Sequence, residues 1–265
     1  MHQNKLIVLI AVMLVAGCVY NGDTSSSTTH LGNVTEQTQS LPDPLKNVRL
    51  FYQSDVLFLD KDGNPLIRVD PYHVRDKNRA KYVLITHGHF DHCSPDDVKK
   101  VMRIDGKIIT TQDCAEKLRE YQERIKVIKP GDHLEFPEFT LDAIPAYNVK
   151  KDRQKYHPKE NNWVGFIIHL NGYSYYIAGD TDIIDEMKQL KDITVAFLPI
   201  GGKFTMDADE AAEAVSIIKP KYAVPCHYYY VLKTEDKMKK AIERFKNMAG
   251  VDVYPIGIVE DYSEA

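Results

Sequence analysis

Beyond residue 46 the chain alternates between short apolar runs and longer amphipathic stretches, with turn residues between them. Val48 to Tyr52, Val56 to Asp60 and Leu66 to Val69 read as strands, with the Asp62-Gly63 turn signal between the last two. Tyr82 to Ile85 is a continuous apolar run ending in a polar loop, the pattern of a strand covered on both faces. Further strands are predicted at Ile108 to Thr111, Lys126 to Ile128, Thr140 to Ile144, Val164 to His169, Tyr173 to Ala178, Val195 to Pro199 and Tyr222 to Pro225. Helical periods fit Cys114 to Arg124, Ile183 to Gln189, Asp207 to Ile218 and Glu235 to Met248. Another helix should begin at Ser94-Pro95-Asp96-Asp97, where Ser94 is placed as N-cap and Pro95 as first helical residue. Strands outnumber helices and both types run along the whole length. That favours α/β architecture as a four-layer αββα sandwich, two stacked sheets with helices on their outer faces, over a plain doubly wound sheet.

The first 45 residues follow a different pattern. Leu6 to Ala16 is an apolar run of 11 residues after Lys5, which suits the core of a secretory signal and is too short to span a bilayer. Its end, Val15-Ala16-Gly17-Cys18, resembles the lipobox of prokaryotic lipoproteins. The resemblance implies a signal peptide over 1–17, cleavage before Cys18, a lipid on that cysteine, and an exported, membrane-anchored protein outside the cytoplasm. Retention of the segment as an uncleaved anchor is the alternative. Residues 18–45 are rich in Ser, Thr, Asn and Gln, cannot bury enough apolar area to offset their ordering entropy, and read as a flexible tether. The folded domain is then expected over 46–265.

Composition sets limits. The 265 residues are 43% hydrophobic and 27% charged, ordinary for a globular chain and unlike a disordered, collagenous or polytopic membrane protein. The formal net charge of −4 offers no global tether to nucleic acid, so no nucleic-acid partner is expected. Four cysteines are too few for a disulfide-built scaffold.

The chemistry concentrates in Thr86-His87-Gly88-His89-Phe90-Asp91-His92-Cys93-Ser94, directly after the Tyr82 strand. In an extended loop, residues two apart point the same way, so His87 and His89 can share one metal ion. Asp91 and His92 follow as the chain turns into a helix and can face a second. Gly88 is expected to let the backbone pass close to the ions.

This H-x-H-x-D-H stretch resembles the signature of the metallo-β-lactamase superfamily, and later segments extend the likeness. Ala178-Gly179-Asp180-Thr181 is similar to the family's G-D-T segment, and Pro225-Cys226-His227 to its last histidine motif. The resemblance implies Asp180 as a bridging carboxylate and His227 as the final ligand. Tyr147-Asn148 stands where many members carry a histidine. The stretch Ile144-Pro145-Ala146-Tyr147-Asn148 followed by His157-Pro158-Lys159 is instead similar to the ascorbate-6-phosphate lactonase-like and related prokaryotic hydrolases. That implies His157 as third ligand of the first metal, with water or Asn148 as alternatives. The implied sites are His87, His89 and His157 for one ion, and Asp91, His92 and His227 for the other, with Asp180 between them. Asp70 is placed like the family's Asp that fixes a ligand histidine, the competing reading being a turn-forming Asp before Pro71.

Imidazole nitrogens with two carboxylates suit zinc best, and iron and manganese are compatible. The implied activity is a metal-dependent hydrolase whose bridging hydroxide, oriented by Asp91, attacks an ester, lactone or phosphodiester. Between Val149 and Lys159, Lys150, Lys151, Arg153, Lys155 and Lys159 face Asp152 alone. Lys150, Lys151 and Arg153 are therefore candidate contacts to an anionic small-molecule substrate, the competing reading being a solvated loop. Cys93 and Cys226, next to ligands, read as small packing residues. Tyr228-Tyr229-Tyr230 and the Gly201 to Phe204 loop are weaker candidates for a substrate mouth. Two other function classes stay open: an iron redox member of the superfamily, and a lipid-anchored metal-binding protein without turnover.

Overall fold

The computed structural model describes residues 40–256; the signal segment, Cys18 and most of the tether lie outside them. After the short helix α1 (Asp43–Lys46), one sheet carries β1 (Val48–Leu50), β2 (Val56–Leu59), β3 (Pro65–Val69), β4 (Ala80–Ile85), β5 (Met102–Thr110) and β6 (Ile125–Val127) in sequential order. The first three pair antiparallel, and β3 through β6 pair parallel. Helices α2 (Pro95–Val101) and α3 (Gln112–Lys117) fall between its later strands. The second sheet holds β7 (His133–Glu135), β8 (Phe139–Pro145), β9 (Val164–Leu170), β10 (Tyr173–Ile177), β11 (Val195–Pro199), β12 (Tyr222–Cys226) and β13 (Asp252–Val253), again sequential. Between its last strands run α4 (Ala208–Ile218), α5 (Tyr229–Leu232) and α6 (Glu235–Met248).

Strand alternation shows the layering. Along β4, Tyr82 and Leu84 join the core shared by both sheets, whereas Val83 and Ile85 join a second core with Val98 and Val101 of α2 and Cys114 of α3. Along β11, Val195 and Phe197 face the shared core, while Ala196 and Leu198 pack with Ala211 and Val215 of α4 and Phe245 of α6. A side-chain period of two therefore puts apolar residues on both faces of each sheet, and helices cover the outer faces. The four-layer αββα sandwich is the observed fold.

Helix starts follow their local chemistry. Ser94 caps α2 by accepting from the Asp97 N–H, with Pro95 at the first helical position. Asp207 and Glu210 form a reciprocal capping box on α4.

Some boundaries differ from the sequence pattern. Leu45 is fully buried in α1 and the Tyr175 hydroxyl donates to the Pro44 carbonyl at 2.8 Å, so ordered packing begins inside the stretch read as tether. The helix expected over Cys114 to Arg124 breaks into α3 and a 3₁₀ segment at Arg119–Arg124, which offers no buried residue to hold a helical face. The segment expected to be helical from Ile183 is a 3₁₀ turn, Asp185–Gln189. Strand β5 begins at Met102 because a register shift between Ala80 and Tyr82 lets Met102 pair with Ala80.

Candidate metal centre

Five strand ends deliver the polar residues. The chain leaves β3 at Asp70, β4 into residues 86–93, β8 toward Tyr147 and Asn148, β10 into Gly179-Asp180, and β12 into His227. Parallel strands send their C-terminal ends to one edge, so residues far apart in sequence meet there.

His87, His89, His157 and Asp180 form one group of facing ligand atoms, and Asp91, His92 and His227 a second, the atoms of each lying within 4.8 Å of one another. Asp180 spans both groups. Its Oδ2 is 3.1 Å from His157 Nε2 and 3.1 Å from His227 Nε2, and its Oδ1 is 3.3 Å from His92 Nε2. His227 Nε2 also lies 3.5 Å from Asp91 Oδ2, and His87 Nε2 lies 3.1 Å from His89 Nδ1. Several of these buried atoms have no hydrogen-bond partner: Nε2 of His92, His157 and His227, and Oδ1 of Asp180. Buried polar atoms without partners carry a free-energy cost that bound cations would remove. The donor set fits a pair of divalent metal ions.

Outer contacts hold His92, His87 and His157. Asp70 Oδ2 lies 2.8 Å from His92 Nδ1, and the Asp70 carboxylate also accepts from the Thr86 N–H and hydroxyl at 2.8 and 2.7 Å. With Nδ1 paired to a carboxylate, His92 turns Nε2 toward the centre. The Thr86 hydroxyl lies 2.9 Å from His87 Nδ1. The Asn148 amide nitrogen sits 3.0 Å from His157 Nδ1, behind the imidazole, and donates to the Phe204 carbonyl. Asn148 thus braces the His157 ring from behind, leaving its Nε2 toward Asp180.

Three supports were not foreseen. Trp163 sets its indole 4.8 Å from the His87 ring and 4.7 Å from the His89 ring, and donates Nε1–H to Asp113 at 2.9 Å. Asp113 also bears on Gly88: a Cβ there would clash with Asp113 Oδ2, so the glycine makes room for the α3 carboxylate. Gln53, buried and left-handed at φ 63°, donates to Asp91 Oδ2 at 3.2 Å and accepts from the Tyr230 N–H at 3.1 Å. Its carbonyl accepts from the His227 N–H at 2.9 Å. No motif marks it, because its partners lie 38 and 177 residues away.

The electrostatics follow from crowding. Burial and the neighbouring imidazoles of His92 and His157 hold the His87 pKa well below its ordinary value. His89 falls to about 4 for the same reasons, burial first and then His157. Burial also opposes charge on His227, but the carboxylates of Asp180 and Asp91 outweigh it and lift the pKa to about 9. Burial would raise Asp180, yet His227 and His92 hold it well below the usual carboxylate range. Without metal, the second group thus keeps protons that a cation would displace.

Two expectations need correction. Arg153 is buried and its guanidinium pairs with Asp182 at 2.7 Å and with both Glu210 oxygens at 2.8 Å; Lys150 also pairs with Glu210. These two side chains fasten the 149–159 segment to the body, and their charges are matched by Glu210 and Asp182. Lys151 is exposed and outside the cavity wall. Cys93 is bonded to Cys114, so the metal loop is tied covalently to α3, and Cys226 is the buried free thiol among the described residues. The cavity over the centre is walled by Phe90, Tyr156, Phe204, Tyr230 and Val231, with His89, Asp91, His157, Asp180 and His227 at its base.

Comparison with known proteins agrees with this geometry. A family described as the beta-lactamase superfamily domain matches residues 50–227. A UPF0173 metal-dependent hydrolase of Thermoplasma acidophilum is 34% identical over 191 residues, 71% of this chain and 79% of that protein. Another from Thermococcus onnurineus is 35% identical over 193 residues, 71% of this chain and 81% of that one. Among solved structures, a provisionally named metal-dependent hydrolase of Parabacteroides distasonis superposes with a TM-score of 0.67 at 33% identity, covering 78% of this chain and 90% of the other. A metallo hydrolase of Ignicoccus hospitalis shares the fold with a TM-score of 0.63 at 23% identity, over 78% and 93% of the two chains. Clustered histidines and carboxylates, a matching superfamily domain and relatives 34–35% identical over 71% of the chain together make this chain a metal-dependent hydrolase of the metallo-β-lactamase superfamily, in its UPF0173 family.

Proposed function

We propose that the chain hydrolyses a small ester or lactone, or a phosphodiester, at a centre of two divalent cations, with zinc the best match to the donors. His87, His89 and His157 would hold one ion, Asp91, His92 and His227 the other, and Asp180 both. Bound cations supply Lewis acidity that lowers the pKa of water toward about 7 and polarises the attacked oxygen. The observation that carries this reading is the position of Asp180, whose carboxylate faces imidazoles of both groups at 3.1–3.3 Å. Asp91, held by Gln53, lines the cavity base, where it would orient a water by accepting its hydrogen bond. Asp70 and Asn148 keep His92 and His157 oriented, so the reacting geometry is set before substrate arrives.

We further propose that the protein works outside the cytoplasm, anchored by a lipid on Cys18. The Cys93–Cys114 bond supports that placement, since disulfides persist chiefly in oxidising compartments.

The test is a panel of esters, lactones and phosphodiesters assayed with and without added zinc. Metal-dependent turnover of one class, abolished by Asp180→Asn, supports the reading. Turnover that survives both chelation and that substitution overturns it.

A further inference from the structure

The cavity has a base of metal-ligand side chains and a wall of rings. Phe90 is 58% exposed and Tyr230 40%, and their ring centroids lie 6.0 Å apart, so they form a contiguous exposed aromatic pair. Tyr156 and Phe204, also on the wall, meet edge to face at 4.9 Å. The volume is about 240 Å³, below the roughly 300–1,000 Å³ typical of drug-sized ligands, so the occupant is small.

Three of these rings carry a lysine. Lys155 sits 4.9 Å from the Tyr156 ring, Lys203 4.8 Å from Phe204 and Lys233 5.9 Å from Tyr230. All three lysines are exposed. None lines the cavity itself, yet each stands 4.8–5.9 Å from a ring of its wall, less than a Debye length of about 8–10 Å. An apolar wall ringed by cations matches a substrate with an apolar body and a negative group at its far end.

We propose that the site selects small substrates bearing a ring-sized apolar group next to the scissile bond and an anionic group at the opposite end. Phe90, Tyr156, Phe204 and Tyr230 would grip the body, and Lys155, Lys203 and Lys233 attract the tail. This rests on the hydrolase reading of the same centre. It sets aside Lys150 and Arg153, whose charges pair with Glu210 and Asp182.

Binding can be measured apart from turnover. Acetohydroxamate, benzohydroxamate and 4-carboxybenzohydroxamate all ligate zinc but differ in body and tail, and calorimetric titration into zinc-loaded protein ranks them. The expected order is carboxybenzo above benzo above aceto, with roughly a tenfold gain for the ring. The carboxylate should add about threefold, shrinking in high salt. Phe204→Ala should reduce the ring gain. Replacing Lys155, Lys203 and Lys233 together with Gln should erase only the carboxylate gain. Equal affinities for the acetyl and benzoyl probes, no gain from the carboxylate, or no binding of any probe overturns the proposal. Ranked binding in a protein that hydrolyses nothing would leave it standing and count against the hydrolase mechanism alone.

Discussion

Gln53 donates its amide N–H to Asp91 Oδ2 at 3.2 Å while its amide oxygen holds the Tyr230 N–H. One buried side chain thus links a ligand of the second metal group to the helix that follows His227. Outer contacts of this kind are worth about 10–100-fold in metal affinity or activity. Gln53→Leu should weaken the second equivalent of zinc by that order and leave the first little changed. Gln53→Glu keeps the acceptor for Tyr230 but turns a carboxylate toward Asp91, and should do at least as much damage. Competitive titration with a chelating dye would check both.

His157→Ala removes a ligand atom from the group that also contains His87 and His89. Bound metal should fall toward one equivalent and turnover should collapse. Asn148→Ala, which leaves the ligand but frees its ring, should show a smaller loss, about tenfold. Elemental analysis of both variants separates ligation from orientation.

The path to this centre was only partly visible along the chain. His87 to His92 stand within six residues after an apolar strand, so local pattern sufficed. Asp180 and His227 needed a family likeness, because only the parallel order of β10, β11 and β12 brings them together. The charge of the 149–159 segment misled: Arg153 finds its acids at Asp182 and Glu210, and Glu210 lies 57 residues on. Cys93 and Cys114 likewise meet only because β4 and β5 pair side by side. Pairings set by topology leave no trace in local composition.

The disulfide offers a stability test. It closes a separation of 21 residues, for which loop-closure entropy alone gives about 3 kcal/mol. Cys93→Ser with Cys114→Ser should lower unfolding stability by about that much, and reductant should do the same to the parent protein only. Metal affinity should also drop, since the bond adjoins His92.

Acid sensitivity should have a source outside the metal centre. Burial would raise the Asp97 carboxyl, but Lys100, Ser94 and the Val74 N–H outweigh it and hold its pKa below 3.8. The folded state therefore binds this proton more weakly than the unfolded chain does. Its stabilisation is full above the unfolded value of about 3.9 and is lost as pH falls through the lower folded value. Asp97→Asn should cost about 1–3 kcal/mol at neutral pH. Its deficit should narrow on acidification, which denaturant curves at pH 7 and pH 3 would read.

The account depends on one centre holding two cations through Asp180. Metal content of the protein purified from zinc-supplemented culture, measured beside Asp180→Asn, tests this most directly. About two equivalents in the parent and a loss at both positions in the variant are predicted. A parent with no stoichiometric metal, or a variant that keeps both ions, would contradict it.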